Sequence, residues 1–184
     1  MQEVEFKASL AGLAPERLEA ARQALGFVPA AGLREVDTYY NGRDRDFRKT
    51  DEALRLRSCT RLPSGPAESL LTYKGPKLDQ VSSARQEYEV AVSDGDTAGK
   101  LLEALGYAPV FTVDKVRREF TRDGVTLCLD EVAGLGCFLE LETLVPDGGD
   151  RETAEAQLLA LLEALGVARD RLTRQSYLEL LAKR

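Results

Sequence analysis

Segment after segment of this chain alternates charged and apolar residues with a period of two, and each time the charges fall on one face. Glu3, Glu5 and Lys7 oppose Val4 and Phe6; Arg55 and Arg57 oppose Leu54 and Leu56; Thr72 and Lys74 oppose Leu71 and Tyr73. Arg85, Glu87 and Glu89 oppose Tyr88, Val90 and Val92. Lys115, Arg117 and Glu119 oppose Val116 and Phe120, Asp130 opposes Leu127 and Leu129, and Glu140 and Glu142 oppose Leu139 and Leu141. A further strand around residues 35–40 brings the expectation to about eight strands.

One such strand reads as the wet side of an antiparallel sheet. Here the charged faces recur in nearly every strand and mix both signs, while amphipathic helices expected at 15–25, 96–105, 153–165 and from 174 onward need the apolar faces as a seat. Closing the sheet also removes its exposed edges. The pattern therefore predicts a closed or nearly closed barrel with charges converging inside and helices packed outside. A weak echo supports two related halves: Glu3-Val4-Glu5-Phe6 leads to a helix ending Ala24-Leu25-Gly26, and Tyr88-Glu89-Val90-Ala91 to one ending Ala104-Leu105-Gly106. Polar connections at 41–51 and 75–84 are candidate lids, the first with the basic run Arg43, Arg45, Arg48 and Lys49.

Composition narrows the chemistry. The 184 residues carry 31 acidic and 25 basic side chains, a net charge of -6 that gives no field for nucleic acid or an anionic membrane. No histidine is present, which removes Ser-His-Asp and Cys-His catalysis and imidazole zinc sites. The cysteines Cys59, Cys128 and Cys137 form no C-x-x-C pair and read as reduced packing residues of a cytoplasmic protein. The amino terminus lacks the basic and apolar regions of a signal peptide, and the longest uncharged stretch, 23–33, is far too short to span a bilayer.

A charged interior is costly unless its groups are paired or coordinated, so a ligand is expected there. Lys7, Arg55, Arg57, Lys74, Arg85, Lys115 and Arg117 offer cations and forked donors for phosphate oxygens. Glu3, Glu5, Glu87, Glu89, Asp130, Glu140 and Glu142 offer hard oxygen ligands for Mg²⁺ or Mn²⁺. Cations for a polyphosphate and carboxylates for its metal are the two halves of a phosphoryl-transfer site. Glu87, Glu89 and Arg85 fit equally well as an internal ion-pair lattice.

Glu3-x-Glu5-x-Lys7 resembles the E-x-E-x-K signature of the CYTH superfamily. It is followed in family order by Asp37-x-Tyr39, Leu54-Arg55-Leu56-Arg57, Tyr73-Lys74-Gly75-Pro76, Arg85-x-Glu87-x-Glu89, Lys115-x-Arg117, Asp130 and Phe138-Leu139-Glu140-Leu141-Glu142. The resemblance implies an α+β fold, an eight-stranded antiparallel closed barrel known as a triphosphate tunnel, as one domain over residues 1–184. It implies a metal shell of Glu3, Glu5, Asp130, Glu140 and Glu142, a phosphate grip of Lys7, Arg55, Arg57, Lys74, Arg85, Lys115 and Arg117, and catalytic parts for Glu5, Lys7, Lys74 and Arg117. Lys74-Gly75-Pro76, Leu105-Gly106-Tyr107-x-Pro109-x-Phe111-Thr112 and Gly134-Leu135-Gly136 are most similar to the class IV adenylyl cyclase branch. The activity so implied is conversion of ATP to cyclic AMP and pyrophosphate, with Mg²⁺ or Mn²⁺ as cofactor. With no histidine, the 3′-hydroxyl proton would pass to a carboxylate, a phosphate oxygen or a metal-bound hydroxide. The alternatives are hydrolysis of the terminal phosphate of tripolyphosphate or thiamine triphosphate, and a non-catalytic module that binds polyphosphate or nucleotide. A homodimer is left open.

Overall fold

The structure is a computed structural model and describes residues 2–78 and 83–183. In chain order its elements are β1 (Gln2–Ser9), α1 (Pro15–Ala24), β2 (Val28–Gly42), β3 (Ala53–Arg61), β4 (Ala67–Lys77), β5 (Arg85–Val92), α2 (Gly95–Ala104), β6 (Tyr107–Arg122), β7 (Val125–Val132), β8 (Gly136–Val145), α3 (Arg151–Ala164), β9 (Leu172–Thr173) and α4 (Tyr177–Leu181). Helices start and stop where local chemistry says they should. Pro15 sits in the first turn of α1, the Asp94 and Asp150 carboxylates accept from the Thr97 and Thr153 amides, and Gly26, Gly106 and Gly166 take positive φ just past three helix ends. Among the described residues, no helix is long and apolar enough to cross a membrane.

The sheet runs β5-β4-β3-β2-β6-β7-β8-β1, with every pairing antiparallel, and an additional β5–β1 pairing closes it into an eight-stranded barrel. The two sequence echoes are the units β1-α1-β2 and β5-α2-β6. Their long second strands are each other's partners, from Val28↔Thr121 to Gly42↔Tyr107. Register shifts in that ladder fall between Pro29 and Ala31 and between Tyr39 and Tyr40; the first lies beside a proline that cannot donate to it. Among the described residues the closing joint is far shorter: Gln2↔Gln86 and Glu3↔Arg85, extended by a hydrogen bond from the Ser83 amide to the Glu5 carbonyl at 3.1 Å.

Alternation sends the apolar residues of the strands outward. Val4, Phe6, Leu127, Leu139 and Leu141 form the seat on which Leu158 and Leu162 of α3 and Leu18 of α1 pack. Truncating a buried leucine such as Leu158 in this layer costs on the order of 2–5 kcal/mol. A second, smaller cluster lies at one end of the barrel, where Tyr39, Val113, Val132 and Phe138 meet Tyr177 of α4. The expected helix from residue 174 is thus only the five residues of α4, capped by reciprocal bonds between Ser176 and Glu179. It stands at a mouth of the barrel and sends a side chain in. β9, two residues paired with Lys7 and Ala8 of β1, positions it there.

Candidate functional site

The inward faces line a cavity of about 620 Å³, within the range that holds small ligands. Glu3, Glu5 and Lys7 come from β1, Glu35 and Asp37 from β2, Arg55 and Arg57 from β3, Lys74 from β4, Arg85, Glu87 and Glu89 from β5, Lys115, Arg117 and Glu119 from β6, and Glu140 and Glu142 from β8. Asp130 of β7 points to the same interior, 2 % exposed. The charged faces read from the sequence therefore do converge.

They converge in two different ways. On one side the cations are clamped. Arg57 donates from Nε to Asp37 Oδ1 at 2.6 Å and from Nη1 to Glu35 Oε1 at 2.7 Å. Arg117 donates to both oxygens of Asp130, at 2.7 and 2.6 Å, and to Glu140. Lys115 sits between Glu35 and Asp130, at 3.1 and 3.2 Å. The Arg117–Asp130 pair is possible because the two residues are directly opposite in the β6–β7 ladder. Burial alone would disfavour the Asp37 carboxylate, but Arg55, Arg57 and Lys115 hold it below the usual carboxylate range.

On the other side the arginines are held at longer range. Arg55 lies 3.5 Å from Asp37, 3.8 Å from Glu87 and 3.7 Å from Glu89. Thr72 bridges the same group, donating to Glu89 at 2.7 Å. Lys74 reaches Glu87 at 2.7 Å and Glu3 at 3.1 Å, so one ammonium spans the β5–β1 joint. Arg85 faces Asp51 at 3.8 Å, at the rim.

Among the described residues, Glu5, Glu140 and Glu142 form a carboxylate group whose oxygens lie within 4.8 Å of one another. Lys7 joins it, 2.9 Å from Glu5 and 3.1 Å from Glu140. Burial opposes the charge on Glu140, but Lys7, Arg117 and Lys115 hold it ionised well below the ordinary range. Glu142 is the reverse: burial, together with the charges of Glu3, Glu140 and Glu5 and only partly offset by Arg117, pushes it up to about 8. Three close carboxylates, one of them short of positive neighbours, are a donor set suited to a hard divalent ion such as Mg²⁺ or Mn²⁺. The structure does not bring all the expected metal-shell residues into that set. Glu3 turns to Lys74, and Asp130 is engaged by Arg117, Lys115 and the Tyr177 hydroxyl at 2.9 Å.

Tyr177 and the pair Glu35 and Asp37 are absent from the residues assigned roles on sequence grounds. Glu35-x-Asp37-x-Tyr39 has the same period-two signal as Glu3-x-Glu5-x-Lys7 and could have been placed by it. Tyr177 has no local signal. Its ring lies 4.7 Å from the Lys7 ammonium and 5.2 Å from that of Lys115, edge-on to Phe138.

The basic run in the 41–51 segment divides. Arg48 lines the cavity, Arg45 is drawn to Glu52, and Lys49 faces Asp46 at 3.8 Å. Asp51, with φ of 56°, ties that segment to β4 by accepting from the Lys77 amide at 2.9 Å and from its ammonium at 2.7 Å. Within the other expected lid, residues 75–77 belong to β4 and residues 79–82 lie outside the described residues. Cys59 faces the cavity, Cys128 is buried and Cys137 exposed, all as free thiols.

A family model described as CYTH domain matches residues 1–177. A protein described as a candidate adenylate cyclase, from Methanocaldococcus jannaschii, is 37% identical over 85% of this chain and 86% of its own length. Adenylate cyclase CyaB of Aeromonas hydrophila is 28% identical over 94% of this chain and 79% of its own length. Among solved structures, the PH1819 protein of Pyrococcus horikoshii superposes with a TM-score of 0.86 at 40% identity, covering 98% of each chain.

Proposed function

This chain belongs to the CYTH domain family, and from that premise we propose that it is a metal-dependent adenylyl cyclase converting ATP to cyclic AMP and pyrophosphate in the barrel interior. The observation that carries the reading is adjacency. The carboxylate group Glu5, Glu140 and Glu142 shares Lys7 with the cationic lining, so a metal-bearing face and a phosphate-gripping face meet in one cavity. The names of the Methanocaldococcus and Aeromonas relatives support cyclisation.

In this reading Glu5, Glu140 and Glu142 hold the ion, with Glu3 at the edge of the set, and Asp130 anchors Arg117. A divalent ion bound there supplies positive charge beside the phosphate oxygens. Arg55 takes the triphosphate by exchanging its longer carboxylate contacts for phosphate oxygens, and Lys74, between Glu3 and Glu87 on the same side, adds its ammonium to that grip. Lys7, Arg57, Lys115 and Arg117, fixed by their partners, present a preorganised positive wall whose orientation costs little reorganisation. The 3′-oxygen attacks the α-phosphorus as the bond from that phosphorus to the bridging oxygen breaks. Pyrophosphate leaves with the electron pair, and the 3′-hydroxyl proton is lost to a carboxylate or phosphate oxygen. The lining holds the chain in line for that displacement.

Hydrolysis of the terminal phosphate is the second reading. It is favoured by the dominance of charged side chains in the lining, since a phosphate grip of this kind makes no demand on a base. Purified protein incubated with ATP and Mn²⁺, and separately with tripolyphosphate, is expected to release cyclic AMP and pyrophosphate from ATP. Orthophosphate without cyclic AMP would overturn the cyclase reading in favour of the triphosphatase, and saturable binding with no product would reduce the protein to a binding module.

A further inference from the structure

In the β1–β8 ladder Glu5 lies opposite Glu142 and Lys7 opposite Glu140, so four charged side chains form a two-by-two block on the inner face. Glu5 and Glu142 are a directly opposed like-charged pair, an arrangement that costs stability unless positive charge relieves it. Lys7 is the cation inside the block. Its ammonium is 2.9 Å from Glu5 and 3.1 Å from Glu140, and among the described residues these are its only ion pairs. Arg117 also reaches Glu140, but it holds both oxygens of Asp130 as well. Lys7 therefore stands apart within the cationic wall, because both of its carboxylate partners belong to the three-carboxylate group. The Tyr177 ring, 4.7 Å from the same ammonium, attracts a cation without offering it an oxygen.

We propose that Lys7 and the divalent ion compete for Glu5 and Glu140, and that binding of the ion frees the Lys7 ammonium for a phosphate oxygen. This rests on the reading that Glu5, Glu140 and Glu142 hold the ion. A carboxylate oxygen that joins the shell of a hard dication has less attraction left for an ammonium, and two positive charges at one pair of carboxylates repel each other. The displaced ammonium is buried, so it needs a new anionic partner. A triphosphate oxygen supplies one. Ion and triphosphate therefore strengthen each other's binding through Lys7, beyond any direct contact between them, and by the same factor in both directions. Until triphosphate draws it away, Lys7 is an internal antagonist of the ion.

Removing the ammonium is then expected to tighten metal binding, the opposite of deleting a supporting residue. Mn²⁺ affinity can be read from the free-ion electron paramagnetic resonance signal, in mildly alkaline buffer that keeps the carboxylates ionised. Lys7→Met is expected to bind about tenfold more tightly than the unaltered protein. Lys7→Arg, which keeps the charge beside both carboxylates, is expected to bind no tighter. Lys74→Met removes a cation held by Glu3 and Glu87, outside the group, and is expected to tighten binding clearly less than Lys7→Met. Bismethylene triphosphate, which resists cleavage at both bridges, reads the coupling. The ratio of its Kd in EDTA to its Kd in saturating Mn²⁺ is expected to fall in Lys7→Met, since the affinity of the free analogue for Mn²⁺ is common to both proteins. Equal or weaker Mn²⁺ binding by Lys7→Met overturns the proposal. So does equal tightening in Lys74→Met, which assigns the effect to net charge rather than to shared carboxylates. For a variant that is marginal without metal, thermal shifts decide: Mn²⁺ is expected to raise the melting temperature of Lys7→Met further than that of the unaltered protein, and a smaller rise overturns the proposal. Mn²⁺ binding that survives Glu5→Gln removes the underlying site instead, and no measurement here needs turnover, so the proposed reaction fails or stands separately.

Discussion

The two sides of the barrel interior hold the same kinds of residue and use them differently. Arg57 and Arg117 are each gripped by carboxylates at hydrogen-bonding distances of 2.6 and 2.7 Å, whereas Arg55 has carboxylates no nearer than 3.5 Å. Identity of side chain therefore says little about role; partner geometry decides. A clamped guanidinium is part of the wall, because removing it abandons buried anions. A loosely held one can turn to an incoming phosphate, because it gives up little to do so.

The sharpest way to break this contrast is to delete a cation on each side. Arg117→Ala leaves Asp130 and Glu140 buried without their main partner and is expected to lower unfolding free energy by about 3–5 kcal/mol in urea titrations. Arg55→Ala, whose carboxylate partners lie at 3.5–3.8 Å, is expected to cut turnover on the order of 100-fold, equivalent to about 2.7 kcal/mol, while lowering unfolding free energy by less than Arg117→Ala does. If Arg55→Ala unfolds the protein as Arg117→Ala does, the two sides are one lattice and the distinction is lost.

The carboxylates sharpen it next. In wild type, Mn²⁺ at 100 times its Kd should stabilise by about 2.7 kcal/mol, a shift that EDTA reverses. Glu5→Gln should lose most of that shift in differential scanning fluorimetry while remaining folded; an undiminished shift would remove Glu5 from the ion's ligands. The pH profile of the metal-free protein separates the carboxylates further. Asp37, held below its ordinary range, contributes stability that is fully present above its unfolded value near about 3.9 and is lost as pH falls below it. Glu142, raised to about 8, binds more protons folded than unfolded, so stability falls as pH rises from about 4.3 to about 8. The slope is at most about 1.4 kcal/mol per pH unit. Glu142→Gln should flatten that upper limb alone, and a profile unchanged by the substitution would contradict the raised carboxyl.

Much of the barrel was legible because its information is local. The alternation of Glu3, Glu5 and Lys7 against Val4 and Phe6 sets a face, and Gly26, Gly106 and Gly166 end helices without help from distant residues. What could not be read is which charge meets which. The clamp on Arg117 depends on the β6–β7 register and on Glu140, 23 positions away, while the looseness of Arg55 depends on where β5 lies. The carboxylates Glu3 and Asp130 share the period of Glu5 and Glu140, and only their cross-strand neighbours separate them from the group. Tyr177 was illegible for the same reason: a helix from 174 was expected, but the partner of its hydroxyl, Asp130, lies 47 positions earlier.

The β5–β1 joint has a dynamic consequence. Among the described residues, two residue pairs and one further amide bond join β5 to β1 in a ring whose β2–β6 ladder runs the length of two long strands, so the ring has an obvious place to part first. Deuterium should enter the amides around Glu3, Arg85 and Gln86 well before those of Val36 or Val116, because local opening follows the fewest bonds that must break. Lys74 rivets this parting line through Glu3 and Glu87, so an anion that captures its ammonium loosens the hoop at the moment it fills it.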